Sequence, residues 1–405
     1  MKYLVQDFSL QSIGLTSEKL LSMKNLTVVT KKENLYWLED GGYSKNNIIF
    51  LSSISNEDLK SFFKSQSQTV DIEEIITLDE KLMKNVGILN ELYSSLKSSQ
   101  KSMNARLYTD KYVMRNMLIN SDIKQPKFFK YNQENVESII LNDNYKESQK
   151  FVIKPRNGSG SKNINIVQKK DLKNFSKIVY QNEKIIEEHI PHTKMFTTDG
   201  IFKGRKILNF FIHEYEYPIL ENLEVSYGHI TRSMSTETSI QLQETLYKKT
   251  NNVISKFNSE EIRPFHFEWF LTDNEEIVFC EGAARFGGKI AFLVNESYGT
   301  NLYDLYWNCV EHGVTENQSI QLPLTPNQIT FNFAAYKWLG SIQEWPKLEL
   351  ENLSLISKVD IGEDIYPTYD ILDPAFFING NAENEFIYKK QIAYINLLID
   401  KMKEK

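Results

Sequence analysis

Arginine, cysteine and long apolar runs are what this 405-residue chain lacks. Its two cysteines, Cys280 and Cys309, stand in no CxxC or Cys/His spacing, which argues against a zinc site or a disulfide framework. No apolar run approaches the roughly 18 residues of a membrane span, so no membrane association is expected. Gln6 and Asp7 fall inside what would be the apolar region of a signal peptide, so a cytoplasmic location is expected. Basic residues, 47 against 53 acidic, are not in excess; the net charge of −6 argues against broad nucleic-acid binding. No GxGxxG follows the N-terminal apolar segments, which removes the dinucleotide fingerprint. Seven arginines stand against forty lysines, and all seven lie between Arg106 and Arg285. Codon bias would account for the scarcity. The alternative is that arginine persists where a planar, always-charged fork is needed, because lysine cannot copy its bidentate geometry.

What is present is an ordinary globular composition, 41% hydrophobic and 25% charged, long enough for two or three domains. Lys2–Val5, Leu26–Thr30, Ile48–Leu51 and Ile75–Leu78 read as short buried strands separated by helix-compatible segments, the pattern of an open α/β sheet. A helix is expected from Arg106 to about Asn120, with Asp110 as an N-cap. The expected divisions are an N-terminal α/β domain (1–105), a connecting helix (106–126), a small α+β unit (127–186), a strand-rich unit (187–310) and an α+β extension (311–405). A final helix runs from about Glu383 to Met402.

Three segments carry chemistry. Lys154-Pro155-Arg156-Asn157-Gly158-Ser159-Gly160-Ser161 lies between two strand-like runs, so it is strand, loop, strand and not a Walker A loop. Its glycines and serines can approach phosphate oxygens, with Lys154 as a mobile charge; an exposed hairpin loop fits the composition equally well. Next, Arg263 to Glu281 reads as a β-hairpin. Centred between Asn274 and Glu275, it sets Glu268 directly opposite Glu281, about 5 Å apart at Cβ. Two carboxylates in apolar surroundings repel unless a hard divalent cation neutralises them; Mg²⁺ on nucleotide phosphates is the common case, and a rim pair with one proton is the alternative. Finally, Arg285-Phe286-Gly287-Gly288 opens a glycine turn into a helix, which makes an anion site. His229, in a segment loosened by Gly228, is a candidate for orienting substrates or taking a proton, with a plain strand histidine equally open. His266 reads as structural.

The ordered set of Lys111, Lys154 with its loop, Glu187-Glu188-His189-Ile190, Asp199-Gly200, Glu268, Glu281 and Arg285 resembles the ATP-grasp carboxylate–amine ligases over nearly the whole chain. The resemblance implies an α/β architecture: a Rossmann-like open sheet, an α+β lid, the ATP-grasp catalytic unit and a mixed C-terminal extension. It implies that Lys111 and Lys154 contact ATP, that Gly158, Ser159, Gly160 and Ser161 form a phosphate flap, and that Glu187, Glu188, His189 and Ile190 line the adenine hinge largely through backbone. Glu268 and Glu281 would hold Mg²⁺ or Mn²⁺; Arg285, with Gly287 and Gly288, would face the transferred phosphate and the substrate. Ala283 stands where many members carry asparagine, and Pro191 to Lys194 lack the usual ribose glutamate. That alanine is similar to the subgroup joining free L-amino acids into dipeptides, and the likeness extends to arginine-accepting ligases of antibiotic biosynthesis. A dipeptide product, arginine as the carboxyl-activated partner and a homodimer are the corresponding expectations. By position, Arg156 fits the flap, Arg106 and Arg115 bracket Lys111, Arg232 and Arg263 flank the candidate substrate loop and hairpin, and Arg205 has no assigned role.

Overall fold

Four short apolar runs at the start of the chain become parallel strands because helices carry the chain back across the sheet between several of them. They are β1 (Lys2–Val5), β2 (Leu26–Lys31), β3 (Ile48–Leu51) and β4 (Glu74–Ile76), in the order β3-β2-β1-β4. The fourth strand stops two residues short of the sequence expectation. Beyond Ile76 the backbone N–H of Leu78 goes to the Gln6 side chain and that of Asp79 to the Thr77 hydroxyl, so the ladder with β1 ends. The computed structural model describes residues 1–158, 160, 162–175, 183–217, 227–235, 238–314, 322, 324–368 and 373–403.

The helix expected from Arg106 is two helices, Ser102–Thr109 and Lys111–Leu118. Asp110 is the break. It takes extended backbone angles and its carboxylate accepts the N–H groups of Tyr112 and Val113, a cap worth about 1 kcal/mol. The cap was legible; that it also ends a preceding helix was not.

A second, antiparallel sheet combines β5 (Phe128–Lys130), β6 (Lys150–Pro155), β7 (Asn165–Gln168) and β8 (Lys184–Glu188) in the order β5-β8-β6-β7. Helix Gln133–Leu141 covers one face, its Val136 and Ile139 packing on Phe151 and Ile153. The β6–loop–β7 order is the strand, loop, strand read from the sequence. Strand β8 runs through the division expected at residue 186 and belongs wholly to this sheet.

The third sheet has eight antiparallel strands. They are drawn from β9 (Lys194–Lys203), β10 (Lys206–Tyr215), β11 (Gly228–Ser233), β12 (Ile262–Leu271), β13 (Ile277–Ala283), β14 (Ile329–Ala335), β16 (Leu353–Ser357) and β18 (Phe376–Ala382), in the order β13-β12-β9-β10-β11-β14-β18-β16. The two-residue strands β15 (Gly340–Ser341) and β17 (Asp364–Ile365) pair separately. The C-terminal strands thus continue the sheet of β9 to β13 through the β11–β14 ladder. Helix Ile240–Phe257 packs under β9, β10 and β12, whereas helix Glu385–Lys403 packs on β14 and β18. Helices Ile290–Tyr298 and Leu302–His312 share a core with the N-terminal sheet.

Candidate active site between the antiparallel sheets

The β12–β13 hairpin does set Glu268 opposite Glu281, but by a different route from the sequence reading. Its loop is Thr272 to Glu276, closed by Thr272 N–H donating to Glu276 O and by Glu275 in the left-handed region at φ 60°. That loop pairs Leu271 with Ile277 and Trp269 with Phe279, a register one residue out from the expected one. A bulge at Cys280 then restores it, and Glu268 meets Glu281. The bulge leaves carbonyls off the ladder. Arg115, fully buried, donates to Phe279 O at 3.1 Å and to Cys280 O, and its Nε donates to Glu187 Oε1 at 2.8 Å.

Glu187 is therefore the hinge between two sheets. Lys154 Nζ lies 2.8 Å from its Oε2, and Arg115 holds the other oxygen. Burial alone would raise the Glu187 carboxyl, but Arg115 and Lys154 outweigh it and bring it down to about 2. Burial lowers Lys154 too, and Glu187 with Glu281 turns its shift upward. The expected backbone hinge is only partly free, since Glu188 N–H donates to Lys127 O and His189 N–H to Lys150 O.

Glu281 Oε2 is 3.4 Å from Lys111 Nζ and 3.8 Å from Lys154 Nζ, and these ammonium groups overcome burial to keep its carboxyl below the usual value. Glu268 Oε1 accepts from Tyr215 Oη at 2.9 Å and lies 3.6 Å from His266 Nε2. Behind His266, the buried Asp199 accepts from it at 2.7 Å and contacts His213 Nδ1 at 3.1 Å and the Thr197 hydroxyl at 2.7 Å. Burial disfavours the His266 charge, yet Asp199 and Glu268 hold the ring up to about 9. His266, expected to be structural, belongs to a network with Asp199 and Glu268 that sequence reasoning did not find.

Two cavities meet at this point. The smaller, of about 120 Å³, is walled by Val152, Ile190, Met195 and Phe270, with Lys154 and Glu188 at its polar side. The larger, of about 920 Å³, reaches His229, Arg285, Gly287 and Gly288. Lys111, Gly158, Gly160, Glu268 and Glu281 line both. Gly158 (φ 127°) and Gly160 (φ 73°) hold backbone that L side chains rarely adopt, and Gly158 O accepts from Lys111 Nζ at 2.7 Å. Ser159 and Ser161 lie outside the described residues. A Cβ at Gly287 would stand 2.5 Å from His266 Nδ1, so the turn can approach the network only as glycine.

Two expectations change. Arg285 lines the larger cavity, but its Nε donates to Glu80 Oε2 at 2.8 Å, a partner from the N-terminal unit. Arg156, expected to serve the flap, pairs with Asp110 through Nε at 3.0 Å. His229 meets the Thr231 hydroxyl at 3.2 Å and the Tyr215 ring edge-on; burial lowers it to about 4. Tyr215 and Glu80 were missed; Arg115 and Asp199 were singled out in the sequence, but their pairing with Glu187 and His266 was not.

A divalent cation fits the carboxylate pair on donor chemistry. Among the described residues no cluster of three His, Cys, Asp or Glu exists, so the protein offers two carboxylates. Mg²⁺ is commonly held by one or two carboxylates with phosphates and water completing its octahedron. Among the described residues no helix is long and apolar enough to cross a membrane.

The three sheets, with the carboxylate pair where two cavities meet, define the ATP-grasp fold. Among solved structures the chain is similar to an L-amino acid ligase from Bacillus licheniformis (TM-score 0.75, 16% identity, 98% of this chain and 97% of that one). It is also similar to an N5-carboxyaminoimidazole synthase from Aspergillus clavatus in complex with ADP and 5-aminoimidazole ribonucleotide (TM-score 0.69, 10% identity, 98% of each). The biotin carboxylase domain of a Hydrogenobacter thermophilus 2-oxoglutarate carboxylase, with MgADP and bicarbonate, follows (TM-score 0.65, 10% identity, 94% and 86%). No protein-family model and no curated protein sequence matches the chain.

Proposed function

We propose that the chain is an ATP-dependent carboxylate–amine ligase that joins two amino acids into a dipeptide and releases ADP and phosphate. The observation that carries this reading is the carboxylate pair at the junction of a small apolar-walled cavity and a large one of mixed lining, with Lys111 reaching both sides. A small apolar-walled cavity suits a nucleobase; the large cavity has room for two small substrates. The neighbour described as an L-amino acid ligase supports the same reading.

Activation of a carboxylate as its acyl phosphate needs positioning and charge neutralisation more than covalent help. Mg²⁺ bound at Glu268 and Glu281 would neutralise phosphate oxygens. Lys154 is locked by Glu187, so its charge is fixed at the nucleotide side without a search among rotamers. Lys111 carries charge across the junction. Arg285, steadied by Glu80, presents its remaining donors to the acyl group. The network from Asp199 through His266 holds Glu268 in place. His229, with its ring held down at about 4, is neutral near pH 7 and too weak a base to keep an ammonium's proton. Its role is to accept a hydrogen bond from the attacking amine.

A pairwise amino-acid screen read by phosphate release tests the proposal. Release that requires both an activated carboxylate and an amine is the expected result, with a dipeptide seen by mass spectrometry. Glu281→Gln should lower turnover by at least about a hundredfold, the scale for removing a stabiliser of transition-state charge, with melting unchanged within a few degrees. ADP formation indifferent to amino acids would count against it. The second reading is a ligase for a different carboxylate and amine pair. The neighbours described as an N5-carboxyaminoimidazole synthase and a biotin carboxylase domain favour it, and phosphate release without dipeptide would establish it.

A further inference from the structure

One end of the large cavity has a charge pattern that the reaction scheme does not use. Lys289 Nζ lies 4.4 Å and Lys358 Nζ 5.7 Å from the centroid of the same ring, Phe377, and all three residues line the cavity. Neither lysine forms an ion pair with a carboxylate among the described residues. The carboxylates lining this cavity among those residues are Glu80, held by Arg285, and the metal pair Glu268 and Glu281. Two ammonium groups gathered around one aromatic ring repel, and an anion is what neutralises them. Burial and the neighbouring Lys358 both lower Lys289, the response of a cation without a counter-charge.

The backbone adds an independent observation. Lys289 follows Gly287-Gly288 and takes φ 64°, a left-handed conformation in which glycine is the default. A lysine held there at a cost of about 1 kcal/mol points to a need for its side chain. The same turn contacts His266 through Gly287, so within a few residues it passes from the metal carboxylates to Phe377. Phe377 stands on β18, which pairs with β14 beside His229's partner Ala334. Four strands separate β18 from β12. Phe377 and the lysines around it therefore stand at the His229 end of the cavity, where the ligase reading places the amine.

We propose that Lys289 and Lys358 bind an anionic group, a carboxylate or a phosphate, at the far end of the amine substrate. This rests on the ligase reading and narrows it. The amine partner is an amino acid or an anionic amine, and a guanidinium side chain at this end of the cavity is disfavoured.

The experiment uses Lys289→Gly, which relieves the backbone strain, combined with Lys358→Ala. Phosphate release is measured with L-alanine, L-alaninamide and 2-aminoethyl phosphate as amines. The wild type should prefer an anionic amine over the amide by about tenfold or more in kcat/KM, as charge-assisted hydrogen bonds imply. The double variant should bring the two within about threefold, with KM for ATP and activity on the amide unchanged. Whichever of alanine and aminoethyl phosphate gains more from the lysines identifies the anion. A preference that survives in the double variant, or an equal loss on the amide, overturns the proposal. If the wild type turns over no pair, the ligase reading fails, and calorimetric titration of inorganic phosphate into the MgADP-saturated protein decides the subsite alone. Binding lost in the double variant supports it; equal binding in both proteins overturns it.

Discussion

Arg115 shows how much one residue can organise. Its guanidinium faces Glu187 on the small sheet and the carbonyls of Phe279 and Cys280 on the hairpin, with no exposed surface to speak of. A lysine offers one charged atom for these acceptors, so Arg115→Lys leaves buried carbonyls unsatisfied. Arg115→Met should lose about 3–5 kcal/mol in denaturant unfolding, because Glu187 is left buried beside one cation instead of two. Arg115→Lys should lose about half of that; a neutral outcome would falsify the clamp. The other arginines follow the same pattern. Arg232 joins Glu385 of the last helix to β11, Arg263 donates to Thr77 O and the Gln100 side chain, and Arg156 braces the Asp110 cap. Arginine does persist where a fork is required. Its work is mostly to bind units of the fold together, and of the seven Arg285 is the one that lines the cavities of the proposed site.

At the scale of elements, the Arg285–Gly288 turn joins strand β13 to helix Ile290–Tyr298 and sets the distance between them. A Cβ at Gly287 would meet His266 Nδ1 at 2.5 Å and Ile290 Cγ1 at 2.6 Å, whereas one at Gly288 meets nothing within 4 Å. Gly287→Ala should therefore cost about 1–3 kcal/mol by pushing His266 off Glu268 or the helix off the strand. Gly288→Ala should be within about 0.5 kcal/mol of wild type. Thermal melts of the two variants, with phosphate release as a second readout, check this; equal behaviour would show that the turn has slack. The hairpin teaches a related point. Its residues announce strand, turn and strand, and the two glutamates were expected to face each other. They do so only because a bulge at Cys280 compensates for a loop centred half a residue from the expected place. Alternation fixes the face of a strand but carries no mark for an extra residue.

For the whole molecule, the junction of the N-terminal sheet with β12 carries a titration. Glu74 on β4 is raised from 4.5 to about 7, chiefly by burial, with Arg263 and Lys2 pulling the other way. Between these values the folded chain keeps a proton that the unfolded chain has released. Stability from this group is therefore lost as pH rises through that window, and stays lower above it. Glu74→Gln removes the effect. The variant should match wild type at pH 5 and be more stable by about 1–3 kcal/mol at pH 8, seen as the difference between paired unfolding curves. A difference that does not change with pH would place the proton elsewhere.

The sequence alone determined the strands, the Asp110 cap, the paired glutamates and the ordered set of charged residues, because period-two burial, capping and short spacing are local properties written in neighbouring residues. It did not determine where the last ninety residues go. They extend the eight-stranded sheet and bring Lys358 and Phe377 into the larger cavity, through a β11–β14 ladder between strands about a hundred residues apart in the chain. Nor did it reveal that Glu80 holds Arg285, that Asp199 stands behind His266, or that Arg115 spans two sheets. Each of these contacts joins residues far apart in the chain, and only packing the sheets against one another decides which charges become neighbours.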